Sequence, residues 1–472
     1  MGVRAIDRLR RYFVRYKWQS GGGLFLVVVT TALAFQIPPL TRKAIDALQI
    51  GRDTAETGVP SALSHAILWI LIIAAAGAVA RIVSRVLVFG AGRRIERDFR
   101  ADFYRHLQRM DPAFYEQFAV GDLMSRATND LGNVRLLLGP GLLSATNFAV
   151  AYVLALTMMS RISFELLFYS LLPYPVVLML VRLYSSRLYK YSKEVQESLS
   201  DLTAKVEENL SGIGVVKAYA LESHELDRFA RLNQDYYESS RRLVVSRGLM
   251  FPLMGSLGTV GLFVVILVGG RKVIDGSMTL GQFVEFSQYL MALAWPTAAM
   301  GWIMGMYQRG MASLRRIEAI LEISPTIVDG PLASEARPGR GRIELKGVTF
   351  QYEGERAFGL EDLSVTIEPG QTVAFVGPTG AGKTTLVKLL TRLLPVDKGQ
   401  IYVDGVDVTE MTKAALRRRI SVVPQQPFLF STTLRDNILY GVSNGAAMGI
   451  EEAGIAAGLH KDVVDMPRGY DT

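Results

Sequence analysis

Nine consecutive residues, Gly377-Pro378-Thr379-Gly380-Ala381-Gly382-Lys383-Thr384-Thr385, satisfy the spacing G-x-x-x-x-G-K-[ST]. Glycines at these positions let successive backbone N–H groups turn toward a polyphosphate, and a helix starting there adds the positive end of its dipole. In such a loop Lys383 reaches the β- and γ-phosphates and the Thr384 hydroxyl holds Mg²⁺. The context suits the motif. An apolar run at residues 372–376 leads in as a strand, and residues 386–390, Leu-Val-Lys-Leu-Leu, lead out as a helix. The implied chemistry is binding of a nucleoside triphosphate with Mg²⁺.

The elements around this loop belong largely to a membrane. Half of the 472 residues are hydrophobic, and the mean hydropathy of +0.23 is too high for an ordinary soluble enzyme. Residues 18–41, 57–80, 136–160, 248–270 and 286–308 contain no Asp, Glu, Lys or Arg. About 20 residues suffice to cross a bilayer. A sixth run, 166–181, is shorter but extends back past Glu165 to Ile162. Buried core helices are the other reading of such runs, and five in one chain argue against it. The expectation is six spans, at about 18–41, 57–80, 136–160, 162–181, 248–270 and 280–308.

Charge orients these spans. Residues 1–17, 81–135 and 182–247 hold twenty-seven Lys and Arg, whereas the alternating short loops hold six. That is the positive-inside bias, and it predicts that both termini are cytoplasmic. Arg42 and Lys43, just past the first span, fit it least well. The net charge of +8 therefore reads as membrane orientation rather than a nucleic-acid partner, because no single module gathers the basic residues. A secretory signal is the alternative at the N-terminus. The apolar run, however, continues to Pro38-Pro39-Leu40 without a small-residue cleavage site. Absence of cysteine excludes disulfides and thiolate metal sites, and four scattered histidines suggest no metal cluster.

The two long cytoplasmic loops, 81–135 and 182–247, read as helices running on from the membrane with a turn at the far end. Asp111 suits an N-cap with Pro112 at the first helical position, opening a short helix at 112–118 that stops before Gly121. Residues 211–220 offer a similar apolar element. Aromatics at such a tip suggest a docking surface, with ordinary helix-hairpin packing as the alternative. Glu285, at the head of the last apolar run, is either an interfacial residue or a cavity-lining acid that favours cations. Beyond that run, residues 308–322 predict a helix and 324–341 a Pro/Gly-rich linker. An α/β domain follows from 342, with strands expected at 342–350, 363–367, 372–376, 400–403 and 421–423.

Taken together these residues resemble the ATP-binding-cassette (ABC) exporters in their half-transporter arrangement, membrane domain followed by ATPase domain. The carriers are Val348-Thr-Phe-Gln-Tyr352, the phosphate loop, and Val422-Val-Pro-Gln-Gln-Pro-Phe-Leu-Phe430. Phe118-Ala-Val-Gly-Asp-Leu-Met-Ser-Arg126, Asn129-Asp130 and the segment 313–321 agree as well. The resemblance covers essentially the whole chain and is strongest to bacterial multidrug and lipid exporters. It implies an all-α six-span transmembrane domain with long cytoplasmic helical extensions, followed by a C-terminal α/β P-loop ATPase domain.

The resemblance also assigns roles. Tyr352 would stack on adenine, Gly377 through Thr385 would cradle the phosphates of ATP, and Lys383 would act catalytically. Gln425 would touch Mg²⁺ and the attacking water. The elements at 112–118 and 212–221 match helices that couple the membrane domain to the ATPase domains. The partners implied are a second half-transporter (identical or different), membrane lipid, and a hydrophobic or amphipathic small molecule. The implied location is the bacterial cytoplasmic (inner) membrane. Against the family pattern, the sequence contains no Leu-Ser-Gly-Gly-Gln signature, Walker B Asp, adjacent Glu or switch His. The expectation is therefore an incomplete ATPase domain that binds nucleotide weakly and hydrolyses it poorly alone. Three functions stand at this point: an ATP-driven exporter, a non-transport membrane ATPase, or an inactive fragment that assembles with partners.

Overall fold

The computed structural model describes residues 2–53, 61–331, 339–352, 359–442 and 448–472. Part of the expected linker (332–338) and the start of the expected second span (57–60) lie outside them. The chain divides into two compact units: Met1–Arg109 with Phe118–Ser324, and Met110–Gln117 with Pro325–Thr472.

The first unit is helical. Among the described residues, three helical stretches are long and apolar enough to cross a membrane: Lys17–Gln49, Leu63–Leu107 and Val120–Ile162. Three more long helices follow, Tyr174–Ser211, Glu222–Val264 and Leu280–Leu321. The last dilutes its apolar run with Gln288, Tyr289, Trp295 and Thr297. Proline explains two interruptions of the apolar runs. Helices Lys17–Ala34 and Ile37–Asp53 meet at Phe35-Gln36, just before Pro38 and Pro39. Their missing N–H groups are harmless only in a first turn. Likewise Phe164–Leu171, capped by the Ser163 hydroxyl, stops before Pro173, and Tyr174–Ser211 begins there.

Helix Leu280–Leu321 opens with a reciprocal capping box between Thr279 and Gln282. It runs unbroken through 308–322, where a separate helix was expected. The two cytoplasmic projections form as continuous helices from the apolar runs. Gly121, expected after a helix end, instead lies inside the next short helix, Val120–Ser125; the break falls at Phe118-Ala119. Phe35, Met159, Leu166, Tyr289, Leu290 and Leu293 lie in one buried cluster.

The second unit holds a four-stranded antiparallel sheet of β1 (Ile343–Gln351), β2 (Gly359–Ile367), β3 (Ile401–Val403) and β4 (Val406–Asp407), in the order β2-β1-β3-β4. Ile343 of β1 pairs with Ile367 on one side and Val403 on the other. Helix Lys383–Leu390 drives Leu386 and Leu389, three residues apart on one face, into a core with Val348, Ile401, Met411 and Leu416.

Two expected strands do not form. Residues 372–376 and 421–423 join no ladder among the described residues, and Val376 and Val423 are 93% and 96% exposed. A strand exists only through pairing of its N–H and C=O groups with a neighbour. Apolar composition alone supplies the propensity and not the partner. The sheet that does form is wholly antiparallel.

Candidate nucleotide site and its supports

The phosphate-loop residues turn tightly ahead of helix Lys383–Leu390. Gly380 and Gly382 have φ of +88° and +85°, a left-handed conformation that glycine adopts without cost. At Gly382 a side chain is excluded twice, since a Cβ there would also lie 2.6 Å from Leu360 Cδ2. Lys383 folds back across the loop, its ammonium donating to the carbonyls of Gly377 (2.7 Å) and Pro378 (2.8 Å). Its charge is thus held beside the turn formed by Gly377, Pro378, Thr379, Gly380 and Ala381.

The two threonines divide. Thr385 is buried, whereas Thr384 is exposed on the first turn and free to meet a ligand. Tyr352 stands with its hydroxyl 3.3 Å from the Thr385 hydroxyl and its ring edge-on to Phe350. The structure therefore brings Tyr352 and the loop together. Gln425 lies in an exposed bend and makes no hydrogen bond to the loop among the described residues.

Behind the loop its helix is anchored at both ends of the unit's sequence. The short helix Pro112–Gln117 belongs to this unit and buries Phe114. Glu116 meets Lys388 of the loop helix at 3.5 Å. Asp111 takes three hydrogen bonds at one carboxylate oxygen, from Thr326 N (2.6 Å), the Thr326 hydroxyl (2.9 Å) and Ile327 N (3.0 Å). The loop helix ends with Arg392 in a left-handed conformation (φ +49°) that buries its guanidinium. That group donates to Val408 O, Met411 O and Val328 O at 2.9–3.0 Å. Burial pushes the Arg392 pKa down, and the nearby Asp329 charge acts against that. Sequence reading missed Arg392 and the stapling role of Asp111, because their partners are carbonyls and N–H groups that any residue carries.

The second coupling element forms helix Ile213–Ala218 within the first unit, where Ile213, Val215 and Tyr219 are exposed. Glu285, read as an interfacial or cavity-lining acid, is neither. It is 5% exposed, 3.5 Å from Arg42 Nη1, and accepts from the Tyr289 hydroxyl at 3.3 Å. Arg42, the charge at odds with the orientation bias, is also 3.5 Å from Asp46. These ions satisfy one another inside the unit.

Residues 21–297 match the family model described as the ABC transporter transmembrane region, and 360–467 match that described as ABC transporter. The chain is 33% identical to the multidrug resistance-like ATP-binding protein MdlA of Escherichia coli (strain K12), over 100% of this chain and 79% of that protein. It is 31% identical to the probable multidrug resistance ABC transporter ATP-binding/permease protein YheI of Bacillus subtilis (strain 168), over 99% and 79%. An ATP-dependent lipid A-core flippase of Syntrophus aciditrophicus (strain SB) is 32% identical over 82% of this chain and 64% of its own length.

Proposed function

The chain belongs to the ABC transporter family, and from that premise we propose that it is half of a dimeric exporter that uses ATP to move an amphipathic small molecule or lipid outward. The observation that carries this reading is the fusion of an ABC membrane region (21–297) to an ABC ATPase region (360–467) holding the phosphate loop. The relatives named for multidrug resistance and lipid flipping support the export direction and the amphipathic substrate class.

In this reading the chain is an integral membrane protein of the bacterial cytoplasmic membrane, with six spans at about 18–41, 57–80, 136–160, 162–181, 248–270 and 280–308 and both termini inside. Gly377 through Thr385 bind the phosphates of ATP, and Tyr352 supports adenine. Thr384 and Gln425 hold Mg²⁺, and Lys383 neutralises the β/γ-phosphate charge. The helices Pro112–Gln117 and Ile213–Ala218 transmit nucleotide closure to the spans. The dimer partner is a second copy or a different half-transporter.

Inside-out vesicles carrying the protein test the proposal. They should accumulate a fluorescent amphiphile when ATP and Mg²⁺ are added, and Lys383→Ala should abolish the uptake. Accumulation equal with and without ATP would overturn it.

A further inference from the structure

The first unit encloses a cavity of about 340 Å³ between helices Lys17–Ala34, Ser61–Leu107, Val120–Ile162 and Leu280–Leu321. We infer that this cavity recognises the anionic head of an amphiphile, through Arg81 and Arg85. The inference rests on the exporter reading and narrows its substrate class.

The two arginines are four residues apart on one helix, so they share a face, and both line the cavity. No Asp or Glu lines it, and among the described residues no carboxylate pairs with either arginine. The contrast lies further along the same helix. There Arg93, Arg97, Arg100 and Arg105 each meet a carboxylate, from Glu96, Asp98, Glu96 and Asp102 respectively. The countercharge is therefore missing where the wall is a cavity and present where it is not. The acid that could have reversed the sign, Glu285, is occupied by Arg42.

The remaining lining suits the rest of such a ligand. The Thr31 hydroxyl lies 2.9 Å from Asn147 Oδ1, which leaves the Asn147 amide N–H groups as donors. Phe35 and Trp295 supply apolar surface for a hydrocarbon chain. A guanidinium meets phosphate, sulfonate or carboxylate through paired donors in a plane. Two unpaired cations against apolar walls are costly until an anion joins them. A phosphate, sulfonate or carboxylate on an alkyl chain meets every feature of this lining.

The test uses the protein in phosphatidylcholine nanodiscs, titrated below micellar concentrations with dodecyl phosphate, dodecylphosphocholine, dodecyltrimethylammonium and inorganic phosphate. Tryptophan emission reports binding, and Trp295→Phe identifies the cavity signal. Dodecyl phosphate should bind most tightly, and its affinity should fall as salt is raised. The double variant Arg81→Gln/Arg85→Gln should weaken it at least about tenfold and leave dodecyltrimethylammonium unchanged. The charge-conserving pair Arg81→Lys/Arg85→Lys should keep the anion preference, which separates loss of recognition from misfolding.

Equal affinity for the three dodecyl heads overturns the inference, as does an unaffected double variant, which would make the arginines anchors to bilayer phosphates. Inorganic phosphate binding as tightly as dodecyl phosphate would also overturn it. If ATP drives export of some amphiphile without head-group preference, this inference falls and the exporter reading stands. If dodecyl phosphate binds as expected but ATP moves nothing, the reading falls and the site stands.

Discussion

Glu116 and Lys388 lie 3.5 Å apart and tie the short helix Pro112–Gln117 to the helix that follows the phosphate loop. Their side chains are 59% and 35% exposed, so water and salt screen the attraction to about 0–1 kcal/mol. Glu116→Lys should thus change unfolding stability by about 1 kcal/mol or less, and Glu116→Lys/Lys388→Glu should recover most of it. A double-mutant cycle in urea checks this. A coupling energy above about 2 kcal/mol would mean that the pair is shielded in the assembled protein.

Phe114 should matter far more. It is 7% exposed, and Phe114→Asp trades a buried aromatic for a charge, at a cost of several kcal/mol. The phosphate loop itself does not contain Phe114, so ATP binding should persist while ATP-driven transport disappears. Photolabelling by an ATP analogue and vesicle uptake, measured side by side, decide it. Substrate-stimulated turnover that survives Phe114→Asp would show that this helix does not carry the coupling.

At the loop, Lys383→Ala removes the cation held beside Gly377 and Pro378. Charge-assisted contacts to phosphate are worth roughly 1.5–3 kcal/mol, a tenfold to hundredfold loss in ATP affinity. Labelling by a photoreactive ATP analogue that matches wild type would remove Lys383 from the site.

The sequence made the phosphate loop legible because its chemistry is local: glycines, a lysine and a threonine within nine residues, followed by a helix that did form. The apolar runs were legible for the same reason, since bilayer thickness sets their length. Strands 372–376 and 421–423 misled because strand propensity is a demand for a neighbour, and the ladder they call for lies elsewhere in sequence. Glu285 misled for a related reason. Its cation, Arg42, stands 243 residues earlier, and only the fold brings the two together. Arg392 and Asp111 gave no signal at all, because what they bind is backbone.

The cytoplasmic helix pair has its own pH dependence. Lys205, on Tyr174–Ser211, is 5% exposed, 2.7 Å from Glu225 and 3.2 Å from Glu208. The hydrogen bond from Lys205 holds the Glu225 pKa below the ordinary carboxylate value. A lowered folded-state pKa gives stability that is present above about pH 4.3 and is lost as pH falls through the folded value. Hydrogen exchange of this pair should accordingly rise on acidification below about pH 4, and Lys205→Met should flatten the response. An identical acid response in Lys205→Met would assign it to other carboxylates.

Arg42 and Glu285 should prove unequal partners. Glu285→Gln keeps a hydrogen-bonding group beside Tyr289 and leaves Arg42, which is 37% exposed, with Asp46. The expected loss is about 1 kcal/mol. Arg42→Gln leaves a carboxylate that is 5% exposed with the Tyr289 hydroxyl as its remaining partner. An uncompensated buried charge is the more costly defect, at about 2–4 kcal/mol. The double variant should be less destabilised than the sum of the two, because the stranded charge is gone. Neither change should alter the ratio of cationic to neutral amphiphiles exported, since Glu285 is spent within the fold. Thermal unfolding of the three variants gives the ranking, and vesicle uptake of paired cationic and neutral dyes gives the ratio. A selective loss of cation export in Glu285→Gln would restore Glu285 to the substrate path.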